Sequence, residues 1–130
     1  MPAPASATYH VDALIAAQTS FRDLVDAGAA AGTVRIGNAS DALLSTIPLT
    51  DPCGTINGST GQLTITASGP DASAAATGTA AYGQICDSDG KVLLALPAQS
   101  GSVPVAGKLV LNTLAIVAGN TVDLVSCTIG

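Results

Sequence analysis

Residues 77–97 read TGTAAYGQICDSDGKVLLALP, two apolar runs on either side of the polar turn Asp87-Ser88-Asp89-Gly90. Gly90 supplies the positive φ that a bulged hairpin turn needs, and the two Asp side chains can accept from nearby backbone amides. The pattern predicts two strands folded into a hairpin. Working outward, residues 62–68 (QLTITAS) alternate cleanly, which sets Leu63, Ile65 and Ala67 inward and Thr64 and Thr66 outward. Residues 33–36 and 42–49 read as strands before it, and 108–112 and 121–129 as strands after the hairpin. Gly, Pro, Asn and Asp punctuate the intervals: Asp51-Pro52 with the loop 54–61, the loop 69–77, residues 100–104, and Gly119-Asn120. Strands at such intervals predict a mainly β fold, an antiparallel β-sandwich or jelly-roll-like domain over residues 33–130.

One helix precedes it. Val11, Leu14, Ile15, Gln18, Phe21 and Val25 recur near the 3.6-residue repeat and form a largely apolar stripe, so residues 9–27 read as helix. Thr8 is placed to cap its start, and Gly28 to close its end in the left-handed conformation. Phe21, the single Phe, is expected to anchor the helix on the sheet. Residues 1–8 are Pro, Ala, Ser and Thr without periodicity. They read as an extended arm, either a frayed end or a segment lying across a neighbouring subunit.

A chain of 130 residues fits one domain, 1–130, and is long enough to bury a core without a metal or disulfide. Hydrophobic residues make up 48% but aromatics only 2%, so the core must be Val, Leu, Ile and Ala. Charged residues make up 10%, against roughly 25% in an average soluble domain. Either a Ser/Thr-rich β surface or coverage in an assembly answers that shortage. All nine acids are Asp, which favours turns over helix interiors. A net charge of −5 with four basic residues excludes phosphate-backbone binding, which needs clustered Lys and Arg.

Catalytic equipment is sparse. His10 is the only imidazole, no GxSxG nucleophile motif occurs, and neither GxxxxGK[ST] nor a helix-opening GxGxxG is present. Asp87-x-Asp89-Gly90 partly resembles a calcium loop, but Lys91 follows at once and the chain has no Glu to close an EF-hand. The expectation is no catalytic, cofactor or metal residues. Cys53, Cys86 and Cys127 are widely spaced with no CxxC pair, and read as buried free thiols, with one disulfide plus an odd thiol as the alternative. Tyr82 lies mid-strand, where burial competes with partner contact. The N-terminal region has no basic n-region or continuous apolar core, and no run of 18 apolar residues occurs; the expectation is a protein made in a cytoplasm, without a membrane partner.

Three segments taken together, LVDAGAAAG at 24–32, TGTAAYGQICDSDGKVLLA at 77–95 and LNTLAIVAGNTVDLVSCTIG at 111–130, resemble a family of small virion proteins of tailed bacteriophages and prophages. Within it the chain is most similar to capsid cement (decoration) proteins. Gly83 after Tyr82 and the three cysteines depart from the family's pattern. The resemblance implies a jelly-roll-like domain on the outer face of the virion capsid, a dimer or else a trimer, bridging subunits of the major capsid protein. Contact residues are then expected in small-residue segments able to follow a partner's backbone: Pro2, Pro4, Ser6 and Thr8 of the arm, Asn57 and Ser59 of the segment 51–61, and Asp71 and Ser73 of the loop 69–77. A tail or neck connector component is the alternative. A carbohydrate-binding fibre-tip module is a third reading, disfavoured because Phe21, Tyr9 and Tyr82 are the only aromatic platforms.

Overall fold

A computed structural model describes residues 10–129. Helix α1 (Val11–Val25) is followed by nine strands: β1 (Thr33–Gly37), β2 (Leu43–Ile56), β3 (Leu63–Ala67), β4 (Gly78–Thr79), β5 (Tyr82–Cys86), β6 (Val92–Ser100), β7 (Leu109–Leu111), β8 (Ala115–Ile116) and β9 (Leu124–Ile129). The mainly β class and the single helix are as expected. Their arrangement does not confirm a sandwich or jelly roll. Seven strands close into one barrel in the order β1-β2-β3-β9-β7-β6-β5, while β4 and β8 form a separate two-stranded sheet. Closure comes from β1 pairing with β5, the two ends of that order.

The opening hairpin is β5–β6, with Asp87 at its turn. Asp87 Oδ1 accepts from the N–H groups of Asp89 and Lys91 at 3.0 and 2.9 Å, and Gly90 takes φ +83°. A purely antiparallel order was expected, but β6 and β7 are parallel over three residues, Ala98–Leu109 to Ser100–Leu111. Parallel neighbours ordinarily need a crossover of a dozen or more residues. Here the chain has only a few residues' length to regain, so 101–108 suffices.

β2 also departs from expectation. Asp51-Pro52, a cis peptide, does not end the strand. Pairing with β3 holds at Leu49–Ala67, skips, and resumes at Gly54–Ile65 through Ile56–Leu63, so the strand bends and continues where a loop was expected. Two contacts make the bend possible. Gly54 packs so close to β3 that a Cβ there would lie 2.1 Å from the Thr64 carbonyl oxygen. Asp26, at the end of α1, accepts from the Cys53 N–H at 2.9 Å. Burial raises the Asp26 carboxyl against the lowering effect of that hydrogen bond.

The barrel interior is filled by aliphatic side chains, among them Val34, Ile36, Ile47, Leu63, Ile85 and Leu109, all fully buried. Gly83 is what the interior demands at its place: a Cβ there would sit 2.3 Å from Leu109 Cδ2. Helix α1 packs on β2, with Val25 buried and Phe21 against the core. Gln18 interrupts the apolar stripe for a reason; its Nε2 donates to the Ile129 carbonyl at 3.2 Å. The helix ends differ from expectation. His10 caps the start, its Nδ1 accepting from the Asp12 N–H at 3.2 Å, and Asp26 is the C-cap, so Gly28 is not needed in the left-handed region. Thr8 lies outside the described residues, as does the arm 1–8.

Candidate functional site

The barrel wall is interrupted at one seam. Between β3 and β9 the ladder holds for two pairs, Leu63–Ile129 and Thr64–Thr128, and then stops. It closes again only at an isolated bridge, where Asp71 and Val122 exchange N–H···O=C bonds of 2.9 Å. The cause lies in β9. Val110 pairs with Ser126 and the next pair is Leu111–Leu124, so Val125 is an extra residue. A β-bulge bends its strand and leaves the added residue unpaired. Val125 is accordingly 39% exposed.

The seam opens into a groove of about 490 Å³, walled by Thr64 and Thr66 on one side and Ser126 and Thr128 on the other, with Pro104 at its rim. Pro104 arrives on the return segment 101–108, which is tied down where the Gly107 N–H donates to the Thr128 carbonyl at 2.9 Å. The groove also meets backbone. The Ser68 N–H bonds the Pro48 carbonyl, and the Thr66 carbonyl accepts from Thr50 Oγ1, so both residues turn their polar groups toward β2. Strand alternation turns those of Ala67, between them, toward the groove, beyond the last β3–β9 pair. Exposed polar backbone of this kind is satisfied by water or by another segment of chain.

Asp71 fixes the head of the seam. Its carboxylate accepts from Ser45 Oγ at 2.6 Å, from the Thr46 N–H at 3.1 Å and from the Ser73 N–H at 3.2 Å. Burial pushes this carboxyl up, but the three hydrogen bonds outweigh it and hold it below the usual value. The foot of the seam is fixed by the turn after β2, where Asn57 Oδ1 accepts from the N–H groups of Ser59 and Thr60 at 2.8 and 3.2 Å. Helix α1 abuts this turn: a Cβ on Gly61 would lie 2.9 Å from Leu14 Cγ.

The sequence-predicted contact residues are thereby sorted. Asn57 and Ser59 are exposed at the foot, and Ser73 is exposed at the head. β3 separates them, about 17 Å for five strand residues, so they do not form one patch. Asp71 is half-buried and occupied within the fold. Of the segment 51–61, the part through Ile56 belongs to β2, and the loop 69–77 is sewn to the barrel through Asp71, Ala74 and Ala75. Pro2, Pro4, Ser6 and Thr8 lie outside the described residues. The groove itself escaped the sequence reading. Its one trace is that residues 124–129 lack the clean alternation of 62–68.

A second, smaller hollow of about 310 Å³ lies around Tyr82 on the barrel's side. Tyr82 pairs directly with Gly37, and a Cβ at Gly37 would stand 2.6 Å from the phenolic oxygen, so the ring lies over the glycine. Asp41, at φ +65°, faces the hydroxyl. Partial burial and that carboxylate push the phenol up. Arg35 and Gln84 are cross-strand neighbours at the same hollow.

Cys53, Cys86 and Cys127 are buried free thiols, as expected. Burial drives Cys53 up to about 12, with Asp26 adding to it, and drives Cys127 up to about 12. Thiols held this way are protonated and unreactive at neutral pH. Among the described residues no group of three or more His, Cys or Asp is placed to hold a metal ion, and no helix is long and apolar enough to cross a membrane. His10 is exposed and makes only a 3.7 Å pair with Asp12. No family model, curated protein or solved structure matches this chain.

Proposed function

We propose that this chain is a non-enzymatic structural protein of a tailed-bacteriophage particle, a cement protein that sits on the outer capsid and ties neighbouring subunits of the major capsid protein together. The observation that carries a binding role is the β3–β9 seam, an open groove with hydroxyl walls and backbone polar groups turned into it. Such a groove receives extended chain by main-chain pairing, which needs little side-chain specificity. The three segments that resemble virion proteins supply the setting. Attachment by many copies would stabilise a shell by mass action although each contact is modest.

Imaging of the intact particle tests the reading. A regular lattice of this protein over the head's outer face is the expected result. A ring at the neck or along the tail would overturn it and make the chain a connector component. Removing residues 1–8 should lower occupancy on the shell; unchanged occupancy would take the arm out of the attachment.

A further inference from the structure

We infer that Asn57-Gly58 is a self-modifying site: the Gly58 main-chain nitrogen displaces ammonia from the Asn57 side chain, and water opens the product to an aspartyl or isoaspartyl residue. The inference concerns the chain itself and goes beyond its place in a particle.

The chain has four asparagines, and the residues after them are Ala39, Gly58, Thr113 and Thr121. Only at Gly58 does the attacking nitrogen belong to a residue without a side chain, so it reaches the amide carbon with the widest choice of backbone angles. The turn from β2 to β3 leaves that approach open. Asn57 and Gly58 are both exposed, and a Cβ built on Gly58 would meet nothing within 4 Å.

Hydrogen bonding sorts the three reacting groups as the chemistry requires. Asn57 Oδ1 accepts from the N–H groups of Ser59 and Thr60 at 2.8 and 3.2 Å. Two donors there polarise the amide carbonyl and stand ready for the negative charge that attack places on its oxygen. The leaving group, Asn57 Nδ2, and the nucleophile, the Gly58 N–H, have no protein partner among the described residues. The turn that presents them is anchored on both sides. The Asn57 N–H donates to the Gln62 carbonyl and the Gly61 N–H to the Asn57 carbonyl, both at 2.8 Å.

In the first step the Gly58 nitrogen gives its proton to solvent base and bonds to Asn57 Cγ. The Cγ–Nδ2 bond breaks, and the nitrogen takes a proton from water and leaves as ammonia, closing a cyclic imide. Water then cleaves one of the two ring C–N bonds. Cleavage at Cγ gives an aspartyl residue; cleavage at the main-chain carbonyl gives an isoaspartyl residue, whose chain runs through Cγ. Either product adds one negative charge. In the isoaspartyl form the carbonyl that accepted from Gly61 becomes a carboxylate off the main chain, at the turn where Gly61 meets Leu14 of α1.

The test incubates the isolated full-length protein for days at mildly alkaline pH and maps its peptides by mass spectrometry. The Asn57 peptide should gain one mass unit and separate into two forms of equal mass. Asn38 is the internal control, because its Oδ1 also accepts two N–H groups, from Ser40 and Ala42 at 2.9 Å, yet Ala39 follows it. Gly58→Ala, which has room and an ordinary φ in the fold, should slow the conversion several-fold. The same chain unfolded in urea should convert at a rate similar to that of the native protein. No gain at Asn57, a gain no faster than at Asn38, or a rate unchanged in Gly58→Ala would overturn the proposal. So would a native rate far below that in urea, since the turn would then be shielding the amide.

Discussion

Asp71 shows how a single side chain decides local structure. In sequence it is one acid in an alanine-rich loop; in the fold its carboxylate takes three hydrogen bonds beside the main-chain bridge to Val122. Hydrogen bonds to a charged acceptor contribute more than neutral ones, so Asp71→Ala should cost about 2 kcal/mol of stability, measurable by urea denaturation at neutral pH. The pH dependence follows in sign. A carboxyl held low in the fold contributes stability that is complete above its unfolded pKa near about 4, and that contribution is lost as pH falls through the lower folded value. Asp26, held high, acts with the opposite sign. Stability measured from pH 5 to pH 2 should therefore fall less steeply in Asp71→Asn than in the parent protein. The thiols give a second prediction at this scale. A thiol reagent at pH 8 should leave Cys53, Cys86 and Cys127 unmodified in the native protein and label all three after unfolding, because burial keeps them protonated.

At the scale of elements, glycine placement determines how closely strands approach. Gly54 lets the bent β2 return to β3, with the Thr64 carbonyl oxygen where a side chain would otherwise be. The obstacle is backbone, which cannot swing aside as a side chain tip can. Gly54→Ala should destabilise the protein by about 3 kcal/mol, the scale of an overpacked core, seen as a lowered melting temperature. Gly83 plays a milder version of this part, since its neighbour is the flexible end of Leu109. The helix was legible at this scale because its signal is periodic: Val11, Leu14, Ile15, Gln18, Phe21 and Val25 are its inward residues, with Gln18 and Val25 buried. The β5–β6 hairpin was legible through its turn. The course of β2 past Pro52 was not, because a proline–glycine cluster has the same composition in a loop as at a bend between two barrel neighbours.

For the whole molecule, closure is the governing fact. A barrel of small strands with an aliphatic interior needs no aromatic mass, which reconciles the 2% aromatic content with a continuous core. Its weak point is the seam, where two pairs and one bridge hold β3 to β9.

The sequence by itself determined the mainly β class, the helix with its inward face and the hairpin at Asp87–Gly90, and it placed the cysteines, whose free state the fold decided. Each rests on local information: a period, a turn residue with positive φ, a small apolar side chain. Strand order, the parallel β6–β7 pair, the barrel in place of two stacked sheets, and the groove at Val125 were decided only in the tertiary structure. The reason is physical. A strand's pattern specifies which face is buried, and leaves open which strand lies beside it. That choice is made by twist, bulges and close approaches between residues far apart in the chain, such as Gly54 with Thr64 and Asp71 with Val122.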